Sequence, residues 1–200
     1  MNQRLFTLDI YTCGGFTKNP LTGNPSALDV GCGSRKLPGS IGMDIVRGSH
    51  ADVVHDMNIA PWPFADNAFD VVLMNHVLEH SDNVLAVLGE AHRVLVPGGR
   101  LVIQVPYFRS TDAHTDPTHR HYFTSGSFEY FLDGTHLSEY QYVPYSFKKS
   151  GFWYGWPSRT SNPIRRAAKA LIHRFPNFYD QYFSLLYPVR CLSWELEAIK

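Results

Sequence analysis

The seven residues Ala27-Leu28-Asp29-Val30-Gly31-Cys32-Gly33 constrain this chain more than any other stretch. A short buried strand runs directly into two glycines, so the backbone must turn sharply at the strand end. A residue without Cβ lets a ligand approach the main chain closely there. A lone Gly-x-Gly also occurs in ordinary turns, and the next two segments of the chain decide between the two readings. Ser40-Ile41-Gly42-Met43-Asp44 reads as a second short strand ending in a carboxylate, and Asp52-Val53-Val54-His55-Asp56 as a third. Three neighbouring strands that end in Gly or Asp build a nucleoside site at the carboxyl edge of a parallel sheet.

Between the first two strands lie only residues 34–40, and Pro38-Gly39 interrupts any helix. A parallel crossover normally takes about a dozen residues or more, so one helical turn or an irregular loop is expected. That loss weakens a dinucleotide reading, which needs a helix N-terminus under the pyrophosphate. It is weakened further by Lys36, which stands where the dinucleotide fingerprint wants its next glycine, and by Asp44, which comes too early for the ribose carboxylate.

Phe69 to Met74 is the most apolar segment and reads as a central parallel strand buried on both faces. Asp82 to Val96 carries Val84, Leu85, Leu88, Ala91, Val94 and Leu95 at helical spacing. Pro97-Gly98-Gly99 should end that helix, and Arg100 to Val105 should return to the sheet. Phe123 to Leu132 reads as a short helix begun near Thr124 or Ser125. Tyr140 to Tyr145 and Leu192 to Ala198 alternate like strands. Ile164 to Phe175 reads as a basic amphipathic helix with Ile164, Ala168, Leu171, Ile172 and Phe175 on one side. Residues 1–26 are turn-rich and read as an N-terminal arm.

The ordered set of motifs resembles the class I S-adenosylmethionine-dependent methyltransferases, in particular their small bacterial type-11 branch. The matching residues are Leu28 to Gly33, Ile41 to Asp44, His55-Asp56-Met57-Asn58, Pro63 to Val72, Asn75-His76-Val77-Leu78-Glu79-His80 and Arg93 to Gly99. They run in unbroken order over residues 27–106. The resemblance implies an α/β, doubly wound, Rossmann-like sheet, mostly parallel with an antiparallel last strand, here with its first crossover helix shortened. It implies one domain over 1–200, with an acceptor-side segment at 107–135 and an aromatic, basic insertion at 150–190 before the last strand.

The resemblance also assigns roles. Asp29 stands where the family's acid faces the methionine ammonium, with Gly31, Cys32 and Gly33 forming the turn beneath the cofactor. Asp44 stands where the ribose-binding acid sits, followed by Ile45. A carboxylate offers two acceptor oxygens to two vicinal hydroxyls. Asp56 and Met57 fall where the family contacts the adenine, and Asn75 where its backbone holds the methionine end. His76 then faces the methyl acceptor. The cluster Asp112-Ala113-His114-Thr115-Asp116-Pro117-Thr118-His119-Arg120-His121 follows the fifth strand and should overhang the same edge. His76, His119 and His121 are therefore the candidate bases for a hydroxyl acceptor.

The expected activity is methyl transfer from S-adenosyl-L-methionine to a small, glycan-linked or lipid-linked acceptor. The alternative is a non-catalytic member of the fold that binds cofactor or a partner. His76-x-x-Glu79-His80 also looks like the Glu-x-x-Glu-His metal site of ubiquinone-pathway and small-RNA O-methyltransferases. A divalent metal on His76, Glu79, His80 and His119 is thus a second possibility. It is not the favoured one, because Leu-Glu-His is common in metal-free relatives.

Charge bears on partners. The 18 basic and 18 acidic residues balance, but residues 141–200 carry nine Lys/Arg against three Asp/Glu, a net of +6. A solvated basic face is the ordinary reading, and peripheral membrane contact through 164–175 the alternative. No nucleic acid is expected as a partner. Cys13, Cys32 and Cys191 fit neither a disulfide framework nor a zinc pattern. With no signal-like or spanning segment in sight, a cytoplasmic location is expected.

Overall fold

A computed structural model describes residues 26–155, 163–187 and 189–200, with the side chains of 163–166 also outside the description. Most of the 1–26 arm therefore lies outside the described residues. Among the described residues the sheet has seven strands: β1 Ala27–Val30, β2 Ile41–Asp44, β3 Val53–Val54, β4 Phe69–Asn75, β5 Leu95–Pro106, β6 Ser146–Tyr154 and β7 Cys191–Ile199. Their order is β3-β2-β1-β4-β5-β7-β6. β1 to β5 pair in parallel, whereas β7 runs antiparallel to both β5 and β6. The strand order reverses between β1 and β4, so the loops after those strands meet at the switch point where α/β sheets bind ligands.

Helix α1, Val84–Val94, begins where the Asn83 side chain accepts the Ala86 N–H, satisfying one of the helix's orphan donors. Its Val87, Leu88, Ala91 and Val94 join Leu28, Val30, Val72, Met74 and Ile103 in the main core. On the opposite face Ala27, Val71, Leu73 and Val102 form a smaller cluster covered by Leu37. The 31–40 segment carrying Leu37 contains only turns, as the short spacing and Pro38-Gly39 require. One loop residue thus stands where a crossover helix would pack.

Arg93, on the last turn of α1, ties down the chain between β3 and β4. Its guanidinium donates to the carbonyls of Trp62 and Phe64 and to the carboxylates of Glu90 and Asp66. Glu90 in turn accepts the Trp62 N–H at 2.6 Å. The buried Trp62 indole donates to the Met57 carbonyl at 2.9 Å, which fixes the loop after β3.

The structure departs from several sequence expectations. Helix α1 is shorter than 82–96, and Leu95 already pairs with Phe69. Pro97-Gly98-Gly99 forms an irregularity inside β5, where Gly98 adopts a φ of 75°. The third strand shrinks to Val53–Val54.

No helix spans Phe123 to Leu132, where only the 3-10 turn Glu129–Phe131 forms. There the Ser127 hydroxyl captures the Thr124 N–H and the Asp180 carboxylate captures the Ser125 N–H. Such side-chain bonds compete with helix formation. Tyr140 to Tyr145 is not a strand either. A 3-10 turn, His136–Tyr140, is capped by Thr135 and stopped at Gln141 in the left-handed region. The edge strand starts only after Pro144, which has no N–H to give a ladder. Because β6 extends to Tyr154, the insertion before β7 begins after that residue rather than at 150.

Helix α2, Pro163–Arg174, occupies the expected place. Its stripe divides: Ile172 is buried, whereas Leu171 and Phe175 are exposed. Ile164, Arg165 and Arg166 have side chains outside the described residues. Among the described residues, no helix is long and apolar enough to cross a membrane.

Candidate active site

The carboxyl ends of β1 and β2 carry Asp29 and Asp44 beside the Gly31–Gly33 turn, and Asp56 follows β3 at the same edge. Gly31 has φ 66°, and a Cβ there would lie 2.3 Å from Val77 Cγ2. The turn after β1 can pack against the loop after β4 only because that atom is missing. Gly33 has φ 52° with open space where its Cβ would be, so it leaves room above the turn.

Asp44 braces this turn. Its Oδ2 accepts the Gly33 N–H and its Oδ1 the Val46 N–H, both at 2.8 Å. Each oxygen keeps a second acceptor site. Ile45, beside it, is exposed. Asp29 shares its side of β1 with Ala27 and accepts the Leu37 N–H at 2.8 Å. Burial raises its carboxyl to about 6, against the opposing pull of the Leu37 hydrogen bond and with help from the nearby Asp44 charge. Cys32 is buried as well, and desolvation pushes its thiol up to about 11. It is therefore a neutral packing residue at neutral pH.

Asp56 accepts from both the main-chain and side-chain nitrogens of Asn58 through Oδ1. Asn58 Oδ1 then accepts the Asp82 N–H at 2.7 Å, linking the loop after β3 to the start of α1. Met57 packs on the core. Asn75 ends β4 and is exposed.

The loops after β4 and β5 meet at Glu79. His76 adopts φ 53°, and its N–H donates to the Gln104 carbonyl at 2.8 Å. Its Nδ1 lies 3.3 Å from Glu79 Oε1. His119 arrives from the segment after β5, with Nε2 at 3.9 Å from the same oxygen. The Glu79 carbonyl accepts the N–H groups of Arg120 and His121, and Arg120 pairs with Asp82. His76 and His119 are thus brought together around a carboxylate that is 1 % exposed.

His121 is not part of that meeting. Its Nε2 lies 2.9 Å from the Ser81 carbonyl, a tie that holds the loop. His114 similarly bonds the Phe108 carbonyl. The candidate-base reading is therefore best kept for His76 and His119. Asp112 forms an ion pair with Arg190. His80, His119 and Glu79 place one ligand atom each within 4.8 Å of one another. His76, included in the metal alternative from sequence, contributes no atom to that cluster.

A cleft of about 650 Å³ opens next to this edge, lined by Phe108, Arg109, Thr124, Gly126, Asp180 and Tyr182. A larger one, about 780 Å³, is lined by Tyr130, Asp133, Tyr142 and Ser146. Ser146 pairs with Ile199 at the amino end of the sheet, so that cleft lies away from the carboxylates.

Residues 28–103 match the Methyltransf_11 family, described as a methyltransferase domain. Over those residues the chain is similar to the class I, type-11 methyltransferases. An S-adenosylmethionine-dependent methyltransferase from Archaeoglobus fulgidus shares the fold at TM-score 0.58 and 17% identity, over 88% of this chain and 86% of that one. One from Mesorhizobium loti does so at TM-score 0.53 and 14% identity, over 90% and 94% of the two chains. Among curated proteins, Uncharacterized protein YafE of Escherichia coli is 51% identical over 41 residues, 20% of each chain. The ubiquinone/menaquinone biosynthesis C-methyltransferase UbiE of Desulfotalea psychrophila is 50% identical over 40 residues, 20% of this chain and 16% of that one. These matches span a fifth or less of the curated relatives' length. The acids and glycines that the sequence resemblance assigns to a cofactor stand at the carboxyl edge of this sheet.

Two contributors to the site were invisible in the motifs. Thr118 Oγ1 lies 2.9 Å from His80 Nδ1 and donates to Asp116 at 2.6 Å. Asp116-Pro117-Thr118 is a recognisable turn signal, but nothing local announces its bond to a residue 38 positions earlier. Asp180, buried beneath the cleft, had no signal at all.

Proposed function

We propose that this methyltransferase moves the methyl group of S-adenosylmethionine to a hydroxyl of a small, glycan-linked or lipid-linked acceptor. The observation that carries the reading is the row of Asp29, Asp44 and Asp56 at the ends of three neighbouring parallel strands, with Asp44 bracing the open Gly31–Gly33 turn and the half-exposed His76 after β4. Asp29 would face the cofactor's ammonium, Asp44 its ribose hydroxyls, and Asp56 with Met57 its adenine. Cofactor binding would place the methyl group toward the loops after β4 and β5.

Methyl transfer is an in-line displacement at an activated sulfonium carbon, so orientation supplies much of the rate once the reacting atoms are held about 3–3.5 Å apart. A hydroxyl acceptor must also lose its proton, and His76 would accept it. The test is release of S-adenosylhomocysteine by the purified protein with labelled cofactor and fractionated cell extract. Cofactor binding with no transfer to any fraction would favour a non-catalytic binding protein.

Asp29 gives this reading a pH signature. A cation beside a carboxyl that titrates near 6 favours its ionised form, so affinity is full above that pH and falls below it. S-adenosylmethionine should bind about tenfold more weakly at pH 5 than at pH 7, by the proton competition at one site. Asp29→Asn should flatten the profile. Calorimetry showing pH-independent binding by the parent protein would remove the ammonium assignment.

The lipid-linked form of the acceptor is favoured by the surface beside the cleft. Leu171, Phe175, Phe178, Tyr182, Leu185 and Leu186 are all exposed, and Phe178 contacts both Tyr182 and Phe183. An apolar patch of this kind, bordered by Lys169 and Arg174, suits an anionic bilayer. Vesicle sedimentation should show binding that rises with anionic lipid and falls with salt. Each leucine buried in the bilayer contributes roughly 1.5–3 kcal/mol, so Leu185→Ser with Leu186→Ser should cut partitioning by more than tenfold. Absence of binding at low salt would leave a water-soluble acceptor.

A further inference from the structure

The larger cleft, about 780 Å³, opens at the amino end of the sheet, and methyl transfer at the opposite edge gives it no task. Three tyrosines meet beside it. Tyr130 and Tyr142 line it and stack with ring centroids 5.1 Å apart, and Tyr140 lies 6.1 and 5.8 Å from them. Tyr140 and Tyr142 are 58 % and 61 % exposed. Gln141 between them sits at φ 50°, a conformation that residues other than glycine seldom adopt. Single exposed apolar side chains are ordinary, whereas three rings gathered by a strained turn are typical of a binding surface. The back wall is fixed. The Tyr145 ring packs on α1 at Gly89, where a Cβ would lie 3.1 Å from it. Its hydroxyl donates to the Leu85 carbonyl, and Phe131 stacks on it at 6.3 Å. A preformed wall lowers the entropic cost of binding.

The charge in this cleft has one sign. Asp133 and Glu139 line it, and no lysine, arginine or histidine does. Both carboxylates are exposed, and among the described residues neither has an ion-pair partner. Lys149, on β6, pairs with Glu129 instead. We propose that the cleft binds a small organic ammonium ion, with its cationic head on the tyrosine faces and its charge balanced by Asp133 and Glu139. An aromatic ring presents a negative face, and a cation is attracted to it within about 6 Å of the centroid. An anion would meet two carboxylates and no cation. Among the described residues no group of three metal-ligating atoms converges here, so a bare metal ion lacks its ligands. A methylated ammonium needs only ring faces and a negative field, and both are present. The same group also occurs as the choline headgroup of a lipid. There it carries a phosphate, which Asp133 and Glu139 would repel, so the free ion is the assigned ligand.

The site stands without the methyl-transfer reading, because it is tested on cofactor-free protein. Choline is the probe, and its neutral carbon isostere, of the same shape without the charge, is the control. Saturation-transfer NMR should show choline bound with a Kd of about 1–10 mM and the isostere about tenfold more weakly. Tyr142→Leu removes one exposed ring and spares the core. It should weaken choline about two- to fivefold, the effect of one exposed ring face, while Tyr142→Phe keeps the face and should bind as the parent does. Asp133→Asn with Glu139→Gln should weaken binding and flatten its dependence on salt. Tyr182→Leu, in the exposed aromatic patch beside the other cleft, should bind choline normally. Equal binding of choline and its isostere overturns the proposal, as does no binding of choline by the folded parent. So does choline binding that is unchanged in both the Tyr142→Leu and the double carboxylate variant, which would place the ion elsewhere. Tighter binding of methyl glucoside than of choline would make the cleft a sugar subsite and overturn the cation. Glycerophosphocholine bound as tightly as choline would overturn the free ion in favour of a lipid headgroup.

Discussion

Asp44→Ala should abolish useful binding of S-adenosylmethionine while leaving a folded protein. Hydrogen bonds to a charged acceptor contribute roughly 1.5–3 kcal/mol each, so removing each bond to the ribose should weaken binding about 10- to 100-fold. The carboxylate has a second task that adds to this loss. It accepts the Gly33 and Val46 N–H groups, so its removal also loosens the turn proposed to hold the cofactor. Asp44→Asn separates the two effects: it keeps the shape and one acceptor oxygen, but offers an amide where a second acceptor is needed. Its loss should fall between those of the parent and Asp44→Ala. Calorimetry and circular dichroism on the three proteins decide the matter. Unchanged affinity in folded Asp44→Ala would remove the ribose assignment.

The strand-and-turn frame of the proposed cofactor site was legible because its determinants are local. A strand of four residues, two glycines and a carboxylate a few positions on leave little freedom, and the short 34–40 spacing already excluded a crossover helix. Asp29 and Asp44 sit at strand ends as expected. Burial and partners could not be read this way. The carboxyl that the motifs place against an ammonium also caps Leu37.

The acceptor half resisted reading for the same physical reason in each case. Its backbone donors and ring nitrogens are claimed by residues far along the chain. Thr124 and Ser125 look like a helix start, yet the Ser125 N–H goes to Asp180, 55 residues away. His119 and His121 looked equivalent in sequence. Only the packing of the segment after β5 against the loop after β4 sends one to Glu79 and the other to Ser81. The alternation of Tyr140 and Tyr142 mimicked a strand, whereas both rings lie against Tyr130 on the surface.

Asp180→Ala should be the most destabilising single change in the described structure. Its Oδ1 accepts the hydroxyls of Tyr107 and Tyr154 at 2.8 and 2.7 Å, and its Oδ2 accepts the Ser125 N–H at 2.9 Å. These groups come from the end of β5, the end of β6 and the loop between them, so one buried carboxylate joins three segments to the 176–187 stretch. Burial first, and the neighbouring carboxylate second, push the Tyr107 and Tyr154 hydroxyls upward, so both remain protonated donors.

Removing the acceptor strands the Tyr107 hydroxyl and the Ser125 N–H and leaves Tyr154 only the Pro176 carbonyl at 3.2 Å. Each stranded donor costs about 1–3 kcal/mol, so with the weakened Tyr154 bond the loss should reach roughly 3–6 kcal/mol from a total of about 5–15. For a chain of this size that lowers the melting temperature by about 10–20 °C. Adding Asp180→Ala to a Tyr107→Phe/Tyr154→Phe protein should cost much less, because two of the three donors are already gone. A melting temperature within a few degrees of the parent would show that water replaces the carboxylate. The functional consequence should be one-sided. Asp180 and Tyr182 line the cleft beside the proposed acceptor edge, whereas the acids proposed for the cofactor lie on β1, β2 and the loop after β3. Below its lowered melting temperature, Asp180→Ala should therefore keep its affinity for S-adenosylmethionine and lose acceptor turnover.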